Sequence, residues 1–121
     1  MEALKILLID DEPDAIEFQQ RYLLRRNYQV LTATNTTEAL EVIRKESPDL
    51  VFCDIRLETD TAGLDVLEKA KIIKPDIVVY LITGILDREI EAEGLRLGAK
   101  EILHKPLSNE DLEEKIKEAV S

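Results

Sequence analysis

Five short, mostly apolar runs alternate along this chain with five longer stretches of helical periodicity, and that alternation limits the fold more than any other feature. The runs cover residues 4–9, 28–33, 48–54, 77–82 and 101–104, lengths that suit buried strands. A strand, a helix and a further strand in succession require a crossover, so neighbouring strands run parallel and helices cover both faces of the sheet. Right-handed crossovers leave few arrangements. The expected fold is therefore α/β, a flavodoxin-like doubly wound sheet of five parallel strands in the order 2-1-3-4-5 with five helices. Its ligand crevice is expected beyond the carboxyl ends of strands 1 and 3.

Local signals place the helices. Pro13 suits a first turn, where its missing N–H costs nothing, and Ala15, Phe18, Tyr22 and Leu23 are expected on the inner face. Asn35, Thr36 and Thr37 offer capping oxygens before a helix through residues 38–45, with Ala39, Leu40 and Ile43 inward. Gly63 closes a polar loop and precedes a helix with Leu64, Leu67 and Ala70 inward. Lys74-Pro75-Asp76 interrupts the chain before the fourth strand. The fourth helix, near residues 87–97, carries Gly94 in its interior at a cost of about 1 kcal/mol relative to Ala, and Gly98 suits a left-handed cap. Ser108 caps the last helix, with Asp111 three positions on and Leu112, Ile116 and Val120 along its stripe.

The 121 residues suit one compact domain spanning 1–121. The apolar run at residues 4–9 is too short for a signal-peptide core or a membrane span, so no membrane insertion is expected. A lone cysteine, Cys53, fits a reducing cytoplasm and a packed core position. One His and one Cys exclude the usual Cys/His zinc sites. Acids outnumber bases by 26 to 16, a formal net charge of −10, and such a field disfavours direct binding of nucleic acid. His104 lies within a strand-like run with no nucleophile elbow in the chain, which argues against a Ser/His/Asp hydrolase; a packing role is expected for it. A Rossmann nucleotide site fits poorly, because Asp10-Asp11 stand where phosphate needs a Gly-rich turn.

In a parallel sheet all carboxyl ends share one edge. Asp10-Asp11, Asp54, Thr83 and Lys105, each at the end of a different strand-like run, should therefore converge. Taken singly, each has a structural explanation: a helix cap, a turn residue, a β-branched strand end and a solvated charge. Together they make a reactive constellation. Neighbouring strands lie about 4.8 Å apart, and two carboxylates about 4 Å apart repel by roughly 4 kcal/mol at an effective dielectric of 20. A shared proton would offset that, but a hard divalent cation such as Mg²⁺ suits clustered oxygens better and keeps positions open for a phosphoryl oxygen. Lys105 adds a movable positive charge. Asp54 is then a candidate carboxylate nucleophile toward phosphorus, with Thr83 donating to the transferred group.

From about Leu4 to Val120 the chain resembles the receiver domain of two-component response regulators. The resemblance rests on Asp10-Asp11, Asp54, Gly63, Thr83-Gly84, Gly98-Ala99 and Lys105-Pro106. It implies that Asp10, Asp11 and Asp54 bind Mg²⁺ with the backbone carbonyl of Arg56. It further implies that Asp54 accepts a phosphoryl group from a sensor histidine kinase or a histidine phosphotransfer domain, and that the Lys105-Pro106 bond is cis. An output domain, or a homodimer through the face of helix 4, strand 5 and helix 5, would be further partners. The chain departs from the family in three places. Leu57-Glu58 replaces a common Met-Pro pair, the loop to Gly63 is one residue longer, and Ile102 stands where an aromatic switch residue is expected.

Two other functions compete with a module that catalyses only its own phosphorylation and dephosphorylation. One is a phosphorylation-independent interaction module, which the missing aromatic would fit and the intact acids would not. The other is a phosphatase with an aspartate nucleophile. That class wants a second acid two positions on, where Arg56 follows Asp54, although Glu12 follows Asp10.

Overall fold

A computed structural model describes residues 4–120; residues 1–3 and 121 of the expected domain lie outside the described residues. The strands are β1 (Lys5–Ile9), β2 (Gln29–Ala33), β3 (Leu50–Asp54), β4 (Val78–Thr83) and β5 (Glu101–His104). The helices are α1 (Pro13–Arg25), α2 (Thr36–Glu46), α3 (Ala62–Ile73), α4 (Arg88–Arg96) and α5 (Asn109–Val120). All neighbouring strands pair in parallel in the order β2-β1-β3-β4-β5, as expected.

Strand alternation divides the core in two. Leu7, Ile9, Val51, Cys53, Val79 and Leu81 face Leu40, Ile43, Val66 and Leu67 of α2 and α3. Ile6, Leu8, Leu50, Phe52, Tyr80 and Ile82 face Leu23, Leu112 and Ile116 of α1 and α5. Being covered on both sides is what makes these strands continuously apolar. Phe52 and Tyr80, opposite each other in the β3–β4 register, stack with ring centroids 5.1 Å apart.

Several side chains stand elsewhere than their spacing implied. Phe18 is 69% exposed; α1 buries Leu23, as expected, together with Ile16, and Ala15 and Tyr22 are half-buried. Val120 is exposed at the last turn of α5. Leu64 is only half-buried; Val66 takes the fully buried place on α3. His104 is also exposed, its Nε2 3.0 Å from Glu91 Oε1 on α4, because the end of β5 extends past the core. Glu113 on α5 is buried. Its carboxylate accepts hydrogen bonds from Tyr22, Tyr28 and Arg26 where α5 meets the end of α1.

Glycines permit two close approaches. A Cβ on Gly63 would stand 2.2 Å from the Asp54 carbonyl oxygen and 2.6 Å from Ile55 Cα, so only glycine lets α3 start against the end of β3. Gly94 lets α4 approach the sheet, where a Cβ would meet Leu81 and Ile102 side chains. Gly98 has φ of +110° just beyond α4, the left-handed cap expected there.

Candidate functional site

Register carries the reactive side chains to one edge. Ile9 pairs with Cys53, so Asp10 and Asp54 follow side by side as β1 and β3 end. Asp54 pairs with Ile82, which puts Thr83 one step beyond it, and Thr83 pairs with His104, which puts Lys105 one step further. The Lys105 amide donates to the Thr83 carbonyl at 2.9 Å. The Lys105–Pro106 peptide is cis, as the resemblance implies.

Asp10, Asp11 and Asp54 each bring a carboxylate oxygen within 4.8 Å of the others. Asp10 and Asp54 are buried, 7% and 5% exposed, while Asp11 is open to solvent. Asp10 also serves the chain turn, its Oδ1 accepting the Glu12 amide at 2.9 Å. The capping explanation of Asp10 is thus partly correct, although Glu12 is the residue at the helix boundary. Lys105 Nζ donates to Asp54 Oδ2 at 2.9 Å.

Burial pushes the Asp54 carboxyl up to about 7; the Lys105 hydrogen bond opposes the rise and the Asp10 charge adds to it. Partial burial works against the Lys105 ammonium, but its bond to Asp54 outweighs that and raises its pKa above the ordinary lysine value. The Cys53 thiol, pushed well up by burial, stays protonated and donates to the Asp54 carbonyl at 3.2 Å. It is a packed core residue, not a reactive one.

A cleft of about 630 Å³ opens on this edge, and Asp11, Asp54, Arg56, Thr83 and Lys105 are among its walls. The Arg56 side chain points to solvent and pairs with Asp60 at 3.4 Å. Thr83 Oγ1 is engaged within its own turn, accepting the Ile85 amide at 3.1 Å and donating to the Ile85 carbonyl at 3.0 Å. Ile102 lies half-buried against the α3–α4 side of the core, where its Cδ1 limits position 94. Every site residue named from sequence therefore stands at this edge.

Glu58 makes a contact that its place in the sequence does not signal. It reaches from the loop after β3 to the start of α2, where Thr36 donates from its amide and hydroxyl. No local spacing signals a contact between residues 22 positions apart.

The same scaffold and chain length recur in known proteins. A CheY-like response regulator receiver domain from Methanospirillum hungatei JF-1 superposes with a TM-score of 0.91 at 32% identity, covering 97% of this chain and 93% of that one. The transcriptional regulatory protein ZraR of Klebsiella oxytoca is 33% identical over 120 residues, 99% of this chain but 27% of that protein. The chain thus spans about a quarter of the length of the first curated relatives it matches. Sporulation initiation phosphotransferase F of Bacillus subtilis is 28% identical over 113 residues and is covered over 90% of its length. Residues 6–117 match the response regulator receiver domain, and the chain belongs to that family.

Proposed function

We propose that this receiver domain is a phospho-acceptor of a two-component or phosphorelay system, with Asp54 as the nucleophile. The carrying observation is the buried Asp54 carboxylate held 2.9 Å from Lys105 and beside Asp10 and Asp11. An Asp54 carboxylate oxygen forms the new P–O bond as the P–N bond of a donor phosphohistidine breaks, leaving an aspartyl phosphate and a free histidine. The ionised Asp54 carboxylate is the nucleophile, and positive charge from Lys105 at 2.9 Å favours that form against the burial that raises its pKa. Lys105 can follow the phosphoryl oxygens as charge moves onto them. Thr83 exchanges its bonds to Ile85 for one to the phosphoryl group, and the β4–α4 turn moves with it.

The three carboxylates suit Mg²⁺, a hard cation that favours oxygen ligands, and the Arg56 carbonyl would complete the protein's share. When bound, Mg²⁺ supplies positive charge against carboxylate repulsion and the incoming phosphoryl group. The module acts on itself and turns over no external substrate. The donor is a sensor histidine kinase or a histidine phosphotransfer domain, and the setting is cytoplasmic; no helix among the described residues is long and apolar enough to cross a membrane. The length of the ZraR relatives makes an attached output domain one natural context, and sporulation initiation phosphotransferase F makes a relay intermediate another.

Incubation with Mg²⁺ and acetyl phosphate followed by intact-mass measurement tests this. A single phosphoryl adduct, lost in Asp54→Asn, is expected. No adduct would favour an interaction module, and steady release of phosphate would favour a phosphatase.

A further inference from the structure

We infer that Glu58 is a positioning residue that holds the peptide of Arg56 in place beside the acid cluster by anchoring the acceptor loop to the start of α2. This rests on the proposed metal-assisted reading of the site. The loop leaves β3 through Ile55, whose amide donates to the Ile82 carbonyl at 2.9 Å and whose carbonyl accepts the Gly63 amide at 2.8 Å. Leu57 is buried in the α2–α3 side of the core, and its amide donates to the Thr59 carbonyl at 3.0 Å. Arg56 stands between these two residues with an exposed side chain whose ion pair, to Asp60 at 3.4 Å, lies within the same loop, so its backbone position depends on what holds Leu57 and the residue after it.

That next residue is Glu58, four positions after Asp54. Its Oε1 accepts the Thr36 hydroxyl at 2.8 Å and the Thr36 amide at 3.2 Å, and its Oε2 lies 3.0 Å from the same amide. Thr36 is the first residue of α2, where unpaired backbone N–H groups favour a carboxylate. α2 already has a cap of its own: Asn35 Oδ1 accepts the Glu38 amide at 2.9 Å. The helix therefore does not depend on Glu58 for its start. The consequence of the Glu58 contact falls on the loop, where the family's common proline would have restricted the backbone and this chain substitutes a side-chain tether.

Groups that orient a metal site from outside the ligand set commonly change metal affinity by about 10-fold or more when removed. Mg²⁺ titration followed by amide shifts at residues 10, 11 and 54–57 reads this directly, without phosphorylation. Glu58→Ala is expected to weaken Mg²⁺ binding about 10-fold, while Glu58→Gln, which keeps an acceptor oxygen, stays near wild type. Asn35→Ala removes the helix's own cap without touching the loop, so it should lower the melting temperature and leave Mg²⁺ affinity unchanged. Wild-type affinity in Glu58→Ala, or an equal loss in Asn35→Ala, would overturn the inference while leaving the phospho-acceptor reading intact. A wild-type protein that binds no Mg²⁺ would overturn the metal reading and this inference together.

Discussion

Lys105 Nζ stands 2.9 Å from Asp54 Oδ2, yet the carboxyl is pushed up to about 7 because burial and the Asp10 charge outweigh the lysine. In the unfolded chain the same group titrates at its ordinary value of 3.8. A raised folded-state pKa favours the protonated form, so this contribution to stability is complete below the unfolded value and is lost as pH rises through about 7. Denaturation of Mg²⁺-free protein should show Asp54→Asn gaining stability relative to wild type across that window, by a few kcal/mol at about 1.36 kcal/mol per unit. A pH-independent difference between the two proteins would refute the assignment.

Identical Gly→Ala substitutions should have opposite severity at two positions. At Gly63 the new Cβ meets backbone atoms of Asp54 and Ile55 at 2.2 and 2.6 Å, and neither can move without displacing β3. Gly63→Ala should cost several kcal/mol or prevent folding, at or above the roughly 1–3 kcal/mol of ordinary overpacking. At Gly94 the obstacles are the Leu81 and Ile102 Cδ1 atoms at 2.8 and 3.2 Å, which can turn aside. The helix gains about 1 kcal/mol in propensity, so Gly94→Ala should fall within about 1 kcal/mol of wild type. Urea unfolding of both variants decides the matter.

Glu113 joins α5 to the end of α1. Arg26 reaches it from Nη2 and Nε at 3.0 and 3.1 Å, and the Tyr22 and Tyr28 hydroxyls donate at 3.1 and 3.3 Å. Burial works to raise its pKa, but the bonds from Arg26 and Tyr22 prevail and the carboxyl ionises below its ordinary value of 4.5. The stability it contributes is present above that value and is lost as pH falls through the lowered one. Glu113→Gln should cost roughly 2 kcal/mol at neutral pH and progressively less in acid. A penalty unchanged at low pH would show that charge is not what holds the cluster.

The Thr83 hydroxyl both donates to and accepts from Ile85, so engaging a phosphoryl group must release the turn that precedes α4. Beryllofluoride with Mg²⁺ should therefore shift amide resonances from Thr83 through Leu97. Thr83→Ala should still take up the mimic at Asp54 with the α4 shifts reduced. Occupancy of Asp54 with no change in that segment would separate phosphorylation from any movement of α4.

Sequence by itself determined the sheet and which polar residues share one of its edges. Five apolar runs separated by helical stretches admit few arrangements, and parallel strands necessarily bring Asp10, Asp54, Thr83 and Lys105 to a common edge. Helix boundaries marked by Pro13, Asn35, Gly98 and Ser108 were equally legible, because caps and turns are local chemistry. Only the tertiary structure decided that α1 leaves Phe18 in solvent. It also decided that Glu113 is clamped by residues 85 to 91 positions away and that Glu58 tethers one loop to a distant helix. Such contacts depend on how elements dock, and docking is set by the summed packing of the whole core, which no window of neighbouring residues contains.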